Sequence, residues 1–254
     1  MAEMAASGKK PDVLFWVGCS GSFDEEAQKI TRALVKILYT CNINFAVLGA
    51  EESCTGDPAK RAGNEFLFQM QAMNNINLLN NYGVKKIITA CPHCFNTFKN
   101  EYPELGGHYE VVHHSQFLQE LISRGVLKIS GDAFKNKKVT FHDPCYLGRG
   151  NNEYDAPRQV LSKLDASVTE MLRSKQRGFC CGAGGAQMFK DSEKGKKDVN
   201  IERTEEAIAT GSTVIATGCP FCMTMMKDGV KHFNKESEVS VLDIAQMIET
   251  AMNL

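Results

Sequence analysis

The sequence predicts an α/β protein of two tandem, pseudo-symmetric halves, each a mostly parallel sheet wrapped by helices. Three observations carry that reading. Short apolar runs alternate with helical patterns along the chain, the order that produces parallel sheets with helical crossovers. The alternation runs through the same order twice. Nine of the ten cysteines also repeat at offsets of 126 to 128 residues: Cys19, Cys54, Cys91 and Cys94, then Cys145, Cys180, Cys181, Cys219 and Cys222. Within each half the first interval is 35 residues, and the second is 37 to Cys91 or 39 to Cys219. Self-similarity at a fixed period marks a duplicated unit. The expected halves are 1–127 and 128–254, with 128–136 as the linker.

Each half opens with an apolar strand, 13–17 or 138–141, that delivers Cys19 or Cys145 at its carboxyl end. Amphipathic helices follow at 24–39 and 155–164. Ile30, Leu34, Ile37 and Leu38 fall at helical spacing in the first, and Val160, Leu161 and Leu164 in the second. Second strands are expected at 44–48 and 167–171. Glycine-containing loops then carry the middle cysteines, Ser53-Cys54-Thr55-Gly56-Asp57 and Cys180-Cys181-Gly182-Ala183-Gly184-Gly185. Helices near 65–82 and 201–210 precede strands 86–89 and 213–216. Those strands feed directly into Cys91-Pro92-His93-Cys94 and Cys219-Pro220-Phe221-Cys222. Strands 109–113 and 238–241, with helices 116–123 and 243–252, close the two units. Ligands of parallel sheets gather beyond the carboxyl ends of the strands, and all nine repeated cysteines fall there.

Composition narrows the chemistry. No apolar stretch reaches the length of a signal-peptide core or a membrane span, so the expectation is a cytoplasmic protein with no direct membrane insertion. In a reducing compartment ten cysteines do not read as disulfides, and 254 residues bury an ample core without them. The net charge of −1 and the absence of a large basic cluster argue against nucleic acid. Metal ligation is the better default. Zinc asks for four tetrahedral ligands, which the first half supplies; five thiols with a vicinal pair in the second suit an iron-sulfur cluster, whose ligands spread over several irons. Cys91-Pro92-His93-Cys94 also matches a dithiol redox tetrapeptide, where a histidine lowers a thiol pKa. Phe221 in the matching slot of the second half favours ligation.

The remaining candidates read more plainly. Gly182, Gly184 and Gly185 lack the spacing of a nucleotide-binding fingerprint and serve tight turns or close approach to a cluster. Cys41 lies outside the repeat, as a buried small apolar residue. His142 stands three residues before Cys145, within reach of the site's surroundings, and His113-His114 ends a strand; structural roles are expected for all six histidines.

At Cys145, Cys180-Cys181-Gly182 and Cys219-x-x-Cys222 the sequence resembles the CCG-domain proteins. The prototype is the B subunit of heterodisulfide reductase, and relatives include iron-sulfur subunits of lactate-utilisation and glycerol-phosphate dehydrogenase systems. The likeness covers nearly the whole chain as two tandem copies, the first degenerate, with Cys54-Thr55-Gly56 in place of Cys-Cys-Gly. It implies two facing Rossmann-like α/β domains and two 4Fe-4S clusters. Cys145, Cys180, Cys181, Cys219 and Cys222 would hold a non-cubane cluster; Cys19, Cys54, Cys91 and Cys94 would hold an ordinary cubane. The implied role is an electron-transfer subunit of an oxidoreductase complex. It would stand between a soluble flavoprotein or dehydrogenase and a membrane- or quinone-linked partner bearing iron-sulfur or flavin groups, peripheral at the inner face of the membrane. The alternatives are a disulfide or thiol reductase of the heterodisulfide reductase type and a zinc-stabilised interaction module. The sequence leaves the catalytic residues unassigned.

Overall fold

The first sheet is four-stranded and all parallel, in the order β2-β1-β3-β4: β1 is Val13–Trp16, β2 Phe45–Ala46, β3 Lys86–Thr89 and β4 Glu110–His113. The second repeats that order as β6-β5-β7-β8, with β5 Lys138–Phe141, β6 Ser167–Val168, β7 Val214–Thr217 and β8 Ser240–Asp243. The computed structural model describes residues 1–191 and 194–254. Strands β1 and β7 are buried throughout, which explains why they read as continuous rather than alternating apolar runs: helices cover both faces of a parallel sheet.

The helices in chain order are α1 Ala2–Ala6, α2 Gly18–Phe23, α3 Glu25–Thr40, α4 Asp57–Arg61, α5 Glu65–Asn81, α6 Pro92–Asn96, α7 His114–Ser123, α8 Gly148–Asn151, α9 Asp155–Leu161, α10 Val199–Ala209, α11 Pro220–His232 and α12 Ile244–Met252. Asp24 starts α3 by accepting a hydrogen bond from Ala27 N (2.7 Å), and the helix buries Ile30, Leu34, Ile37 and Leu38 as their spacing predicts. Asp243 caps α12 in a reciprocal box with Gln246.

The halves share a core. Helix α3 packs on α12, and α7 packs on α9 and α12. One apolar cluster joins Phe15, Leu34 and Ile88 of the first half to Phe141, Ile215 and Ile248 of the second. Lys36 and Glu249 pair across the same seam at 2.7 Å. A second cluster beneath the first sheet holds Leu14, Trp16, Phe68, Ile87, Phe98 and Tyr102.

Two features differ from the expected elements. The edge strands β2 and β6 shrink to two residues each; after β2 the chain turns into a 3-10 helix, Gly49–Glu51. Strands β7 and β8 sit one and two residues later than the apolar pattern suggested. Each Cys-Pro-x-Cys that the strands feed into starts a helix, because proline at the first helical position has the right φ and no amide to leave unpaired. Among the described residues no helix is long and apolar enough to cross a membrane.

Candidate metal centre

The cysteines reach one region because strand ends and short helices place them there. In the first half β1 passes through Gly18, whose φ of +78° starts α2 and turns Cys19 back over the sheet end. The Glu52 carboxylate fixes this turn by accepting from Val17 N (3.1 Å) and Gly18 N (2.5 Å). Burial raises its pKa to about 7 against those two bonds. Cys54 follows, and Gly56, at φ +91°, aims its amide at Cys54 Sγ (3.4 Å). The thiols of Cys19 and Cys54 are neighbours. That contact holds Cys54 down to about 7 and, with burial, pushes Cys19 well up. Cys91 caps α6 and Cys94 lies in its first turn. The Thr55 hydroxyl stands 3.8 Å from Cys94 Sγ.

The second half repeats this arrangement with one more sulfur. Cys145 and Cys180 are neighbours, as are Cys180 and Cys181, Cys181 and Cys222, and Cys219 and Cys222. Gly182, at φ +93°, donates its amide to Cys180 Sγ (3.3 Å), matching Gly56. Its neighbouring thiols Cys145 and Cys181 take Cys180 down to about 2, while the contact with Cys180 takes Cys181 up to about 12. Within the vicinal pair, Cys180 faces Cys145 and Cys181 faces Cys222. All ten cysteines are free thiols, and Cys41 stands apart in the shared core, nearly buried.

The two sets adjoin. Cys91 of the first half contacts both Cys219 of the second and its own neighbour Cys94, and these two thiols hold it well below the usual range. The sulfurs therefore form an unbroken path from Cys145 through Cys180, Cys181, Cys222, Cys219 and Cys91 to Cys94, with Cys19 and Cys54 close enough to act on Cys94 through their charge. Cys91, Cys94, Cys181, Cys219 and Cys222 are buried, and the rest are half-buried.

Several residues surround this path. His93 Nδ1 is 2.9 Å from Asp57 Oδ2, its ring lies 4.3 Å from that of Tyr146, and Phe221 meets it edge-on at 5.4 Å. Burial lowers the His93 pKa, but the bond to Asp57 and the charge of Cys91 outweigh it and raise the group overall. Asp57 is also paired with Arg61 at 3.1 Å. His142 is fully buried; its Nδ1 accepts from Arg203 Nε at 2.9 Å. Burial and the Arg203 charge take its pKa down to about 3. A ring nitrogen of His142 and the sulfurs of Cys181 and Cys222 lie within 4.8 Å of one another. The position of His142 three residues before Cys145 pointed to this neighbourhood; nothing in the sequence marked Arg203.

The cysteine-rich domain family, CCG, matches residues 13–99 and again 139–227. The chain belongs to the CCG family. This CCG protein is 43% identical over 251 residues to the EtfAB:quinone oxidoreductase of Syntrophomonas wolfei, an alignment covering 96% of the chain and 35% of that relative. It is 44% identical over 247 residues to the probable iron-sulfur-binding oxidoreductase FadF of Bacillus subtilis, covering 97% and 35%. One subunit of the dihydromethanophenazine:CoB--CoM heterodisulfide reductase of Methanosarcina barkeri is 34% identical over 256 residues, covering 96% and 60%. The chain therefore spans about a third of the length of the first two relatives.

Proposed function

We propose that the nine repeated cysteines hold two iron-sulfur clusters of the 4Fe-4S type and that the chain is an electron-transfer unit of an oxidoreductase. The observation that carries this reading is that both thiol sets gather at the carboxyl ends of two parallel sheets, each with a glycine amide on its middle cysteine, with Cys91 and Cys219 neighbouring across the seam between the halves. The donor set fits the group. Thiolates are the soft ligands that iron-sulfur clusters use, five successively neighbouring thiols exceed the needs of one zinc ion, and the amides of Gly56 and Gly182 already point at sulfur. Cys145, Cys180, Cys181, Cys219 and Cys222 would hold one cluster, and Cys19, Cys54, Cys91 and Cys94 the other.

Bound there, such clusters supply one-electron oxidation and reduction. The protein's own residues exclude water from Cys91, Cys94, Cys181, Cys219 and Cys222, orient the thiols through the two glycine amides, and seal the seam with His93, Tyr146 and Phe221. The relatives named for a quinone oxidoreductase and for an iron-sulfur-binding oxidoreductase support a role between a soluble donor and a flavin- or quinone-bearing partner. Thr55 in place of a second vicinal cysteine gives the first set four thiols, so the two centres are unequal. That weighs against a matched pair cleaving a disulfide.

Anaerobic reconstitution followed by iron and sulfide analysis tests the proposal. The expected result is about eight irons per chain with broad absorption from sulfur-to-iron charge transfer. About four irons would leave only one set loaded, and stoichiometric zinc without iron would replace the proposal with a zinc-stapled module. Reduction of a small disulfide by the isolated, loaded chain would move the case to a reductase.

A further inference from the structure

The last residue of β4 and the last residue of β8 hold matching places in the two halves. His113 pairs in register with Thr89, two residues before Cys91, and Asp243 pairs with Thr217, two residues before Cys219. Each caps the helix that follows, α7 or α12, in a reciprocal box with a glutamine three residues on. Capping does not exhaust either side chain. Each also bonds across the seam into the other half, His113 over 105 residues to Gly218 and Asp243 over 129 to His114.

The direction of these bonds follows from the groups at their ends. His113 Nε2 lies 3.1 Å from Gly218 O, and a carbonyl only accepts, so Nε2 carries a proton. In the neutral ring Nδ1 is then an acceptor, for the Ser115 hydroxyl at 2.7 Å. The same Nε2 stands 3.2 Å from His114 Nδ1, and the opposite nitrogen of His114, Nε2, meets Asp243 Oδ1 at 2.9 Å. A carboxylate accepts, so His114 carries its proton on Nε2 and receives at Nδ1. Every bond runs one way, from Ser115 to Asp243. His113, His114, Ser115 and Asp243 are fully buried, where each bond is stronger than in water and has no solvent to exchange with.

This chain of bonds meets the entry to both Cys-Pro-x-Cys turns. Gly218 immediately precedes Cys219, and a Cβ placed on it would lie 3.5 Å from His113 Cε1, so the ring rests on that peptide. The backbone of Ala90, which immediately precedes Cys91, lies beside the same ring. Phe95, the residue after Cys94, meets it edge-on at 6.0 Å. Cys91 and Cys219 are themselves neighbours across the seam.

We propose that His113 and Asp243 are positioning residues that pin the two thiol sets against each other, His113 by donating to Gly218 O and Asp243 by accepting from His114. The inference rests on the proposed function for its consequence, electron passage between two adjacent centres; the pin itself belongs to the metal-free fold. With the pin broken the halves keep their shared apolar core, but Cys219 is no longer fixed against Cys91.

Reduced apoprotein carrying protonated histidine and cysteine in a deuterated background tests the pin without metal. Long-range nitrogen–proton spectra should show His113 protonated on Nε2, and the Cys91 and Cys219 side chains should cross-relax. His113→Leu should lose the Cys91–Cys219 cross-peak while keeping the Cys91–Cys94 one, the reference for a folded first half. His113→Gln retains a donor and should keep both. Asp243→Ser retains a helix cap but is too short to reach His114, and should weaken the cross-half peak alone. In reconstituted protein these variants should bind wild-type amounts of iron. The splitting that adjacent reduced centres impose on each other's paramagnetic spectra should be lost in His113→Leu and kept in His113→Gln. A His113 protonated on Nδ1, a Cys91–Cys219 cross-peak that survives in His113→Leu, or an unchanged splitting in that variant would overturn the proposal; if His113→Leu does not fold, an undiminished cross-peak in Asp243→Ser overturns it instead. Wild-type protein that takes up no iron would strike the iron-sulfur reading alone, because the apoprotein spectra still decide the pin.

Discussion

Gly56 and Gly182 turn the chain so that an amide meets the middle cysteine of each half, and replacing them by alanine separates backbone strain from crowding. Both lie at left-handed φ, +91° and +93°, which costs a residue with a Cβ about 1–2 kcal/mol. The surroundings then differ. A Cβ on Gly56 would come 2.8 Å from Phe68 Cδ2 and 3.3 Å from Phe68 Cα, so backbone as well as side chain must yield. Overpacking of that kind costs about 1–3 kcal/mol more. A Cβ on Gly182 would lie 3.2 Å from Val199 Cβ, tight against one side chain, and 3.5 Å from Asn200 N, an ordinary backbone contact. Gly63 is the internal reference: φ is +85° with nothing within 4 Å. Alanine also stiffens the unfolded chain, which returns about 0.4–1 kcal/mol in each variant. The expected losses are therefore about 1–5 kcal/mol for Gly56→Ala and about 0–1.6 for Gly63→Ala, with Gly182→Ala between them and Gly56→Ala exceeding Gly63→Ala by about 1–3. Urea unfolding of the reduced apoprotein, followed by circular dichroism, measures all three. Equal losses at Gly56 and Gly63 would refute the argument, because strain alone would then account for the effect.

Further expectations concern the thiols and a buried histidine. Cys181→Ser should make the second centre resemble the first or prevent its assembly, while Thr55→Cys should do less harm; identical paramagnetic spectra from the two wild-type centres would contradict this asymmetry. Cys41→Ala should leave the iron content unchanged and cost on the order of 1 kcal/mol, the loss of one atom from a packed core, since Cys41 sits among Ile37 and Leu38 rather than with the other thiols. His113 is fully buried, with Nδ1 2.7 Å from Ser115 Oγ and Nε2 3.1 Å from Gly218 O, and burial together with His114 holds its pKa well below the usual 6.5. A depressed histidine means that the unfolded chain binds the proton first, so stability should fall as pH drops below about 6.5. His113→Gln should flatten that decline in apoprotein melting curves; an unchanged slope would refute the assignment.

The duplicated α/β plan and the nine cysteines at the strand ends are legible in the chain's local pattern. Strands such as Lys86–Thr89 and helices such as Glu25–Thr40 are encoded by apolar periodicity, and a cysteine immediately after a strand has its place fixed by the chain's own continuity. Edges were less legible: β2 and β6 run for two residues each, and no local pattern records that. Which thiols meet is a tertiary outcome. Cys91 touching Cys219 depends on how α3 and α12 bring two sheets together through a shared core, a packing result distributed over dozens of apolar side chains. The Arg203 bond to His142 spans 61 residues. Asp57 against His93 spans 36. Such polar pairs leave no periodic trace, because each is a single contact selected by burial: once the core excludes water, a charged or hydrogen-bonding group must find its partner inside the fold.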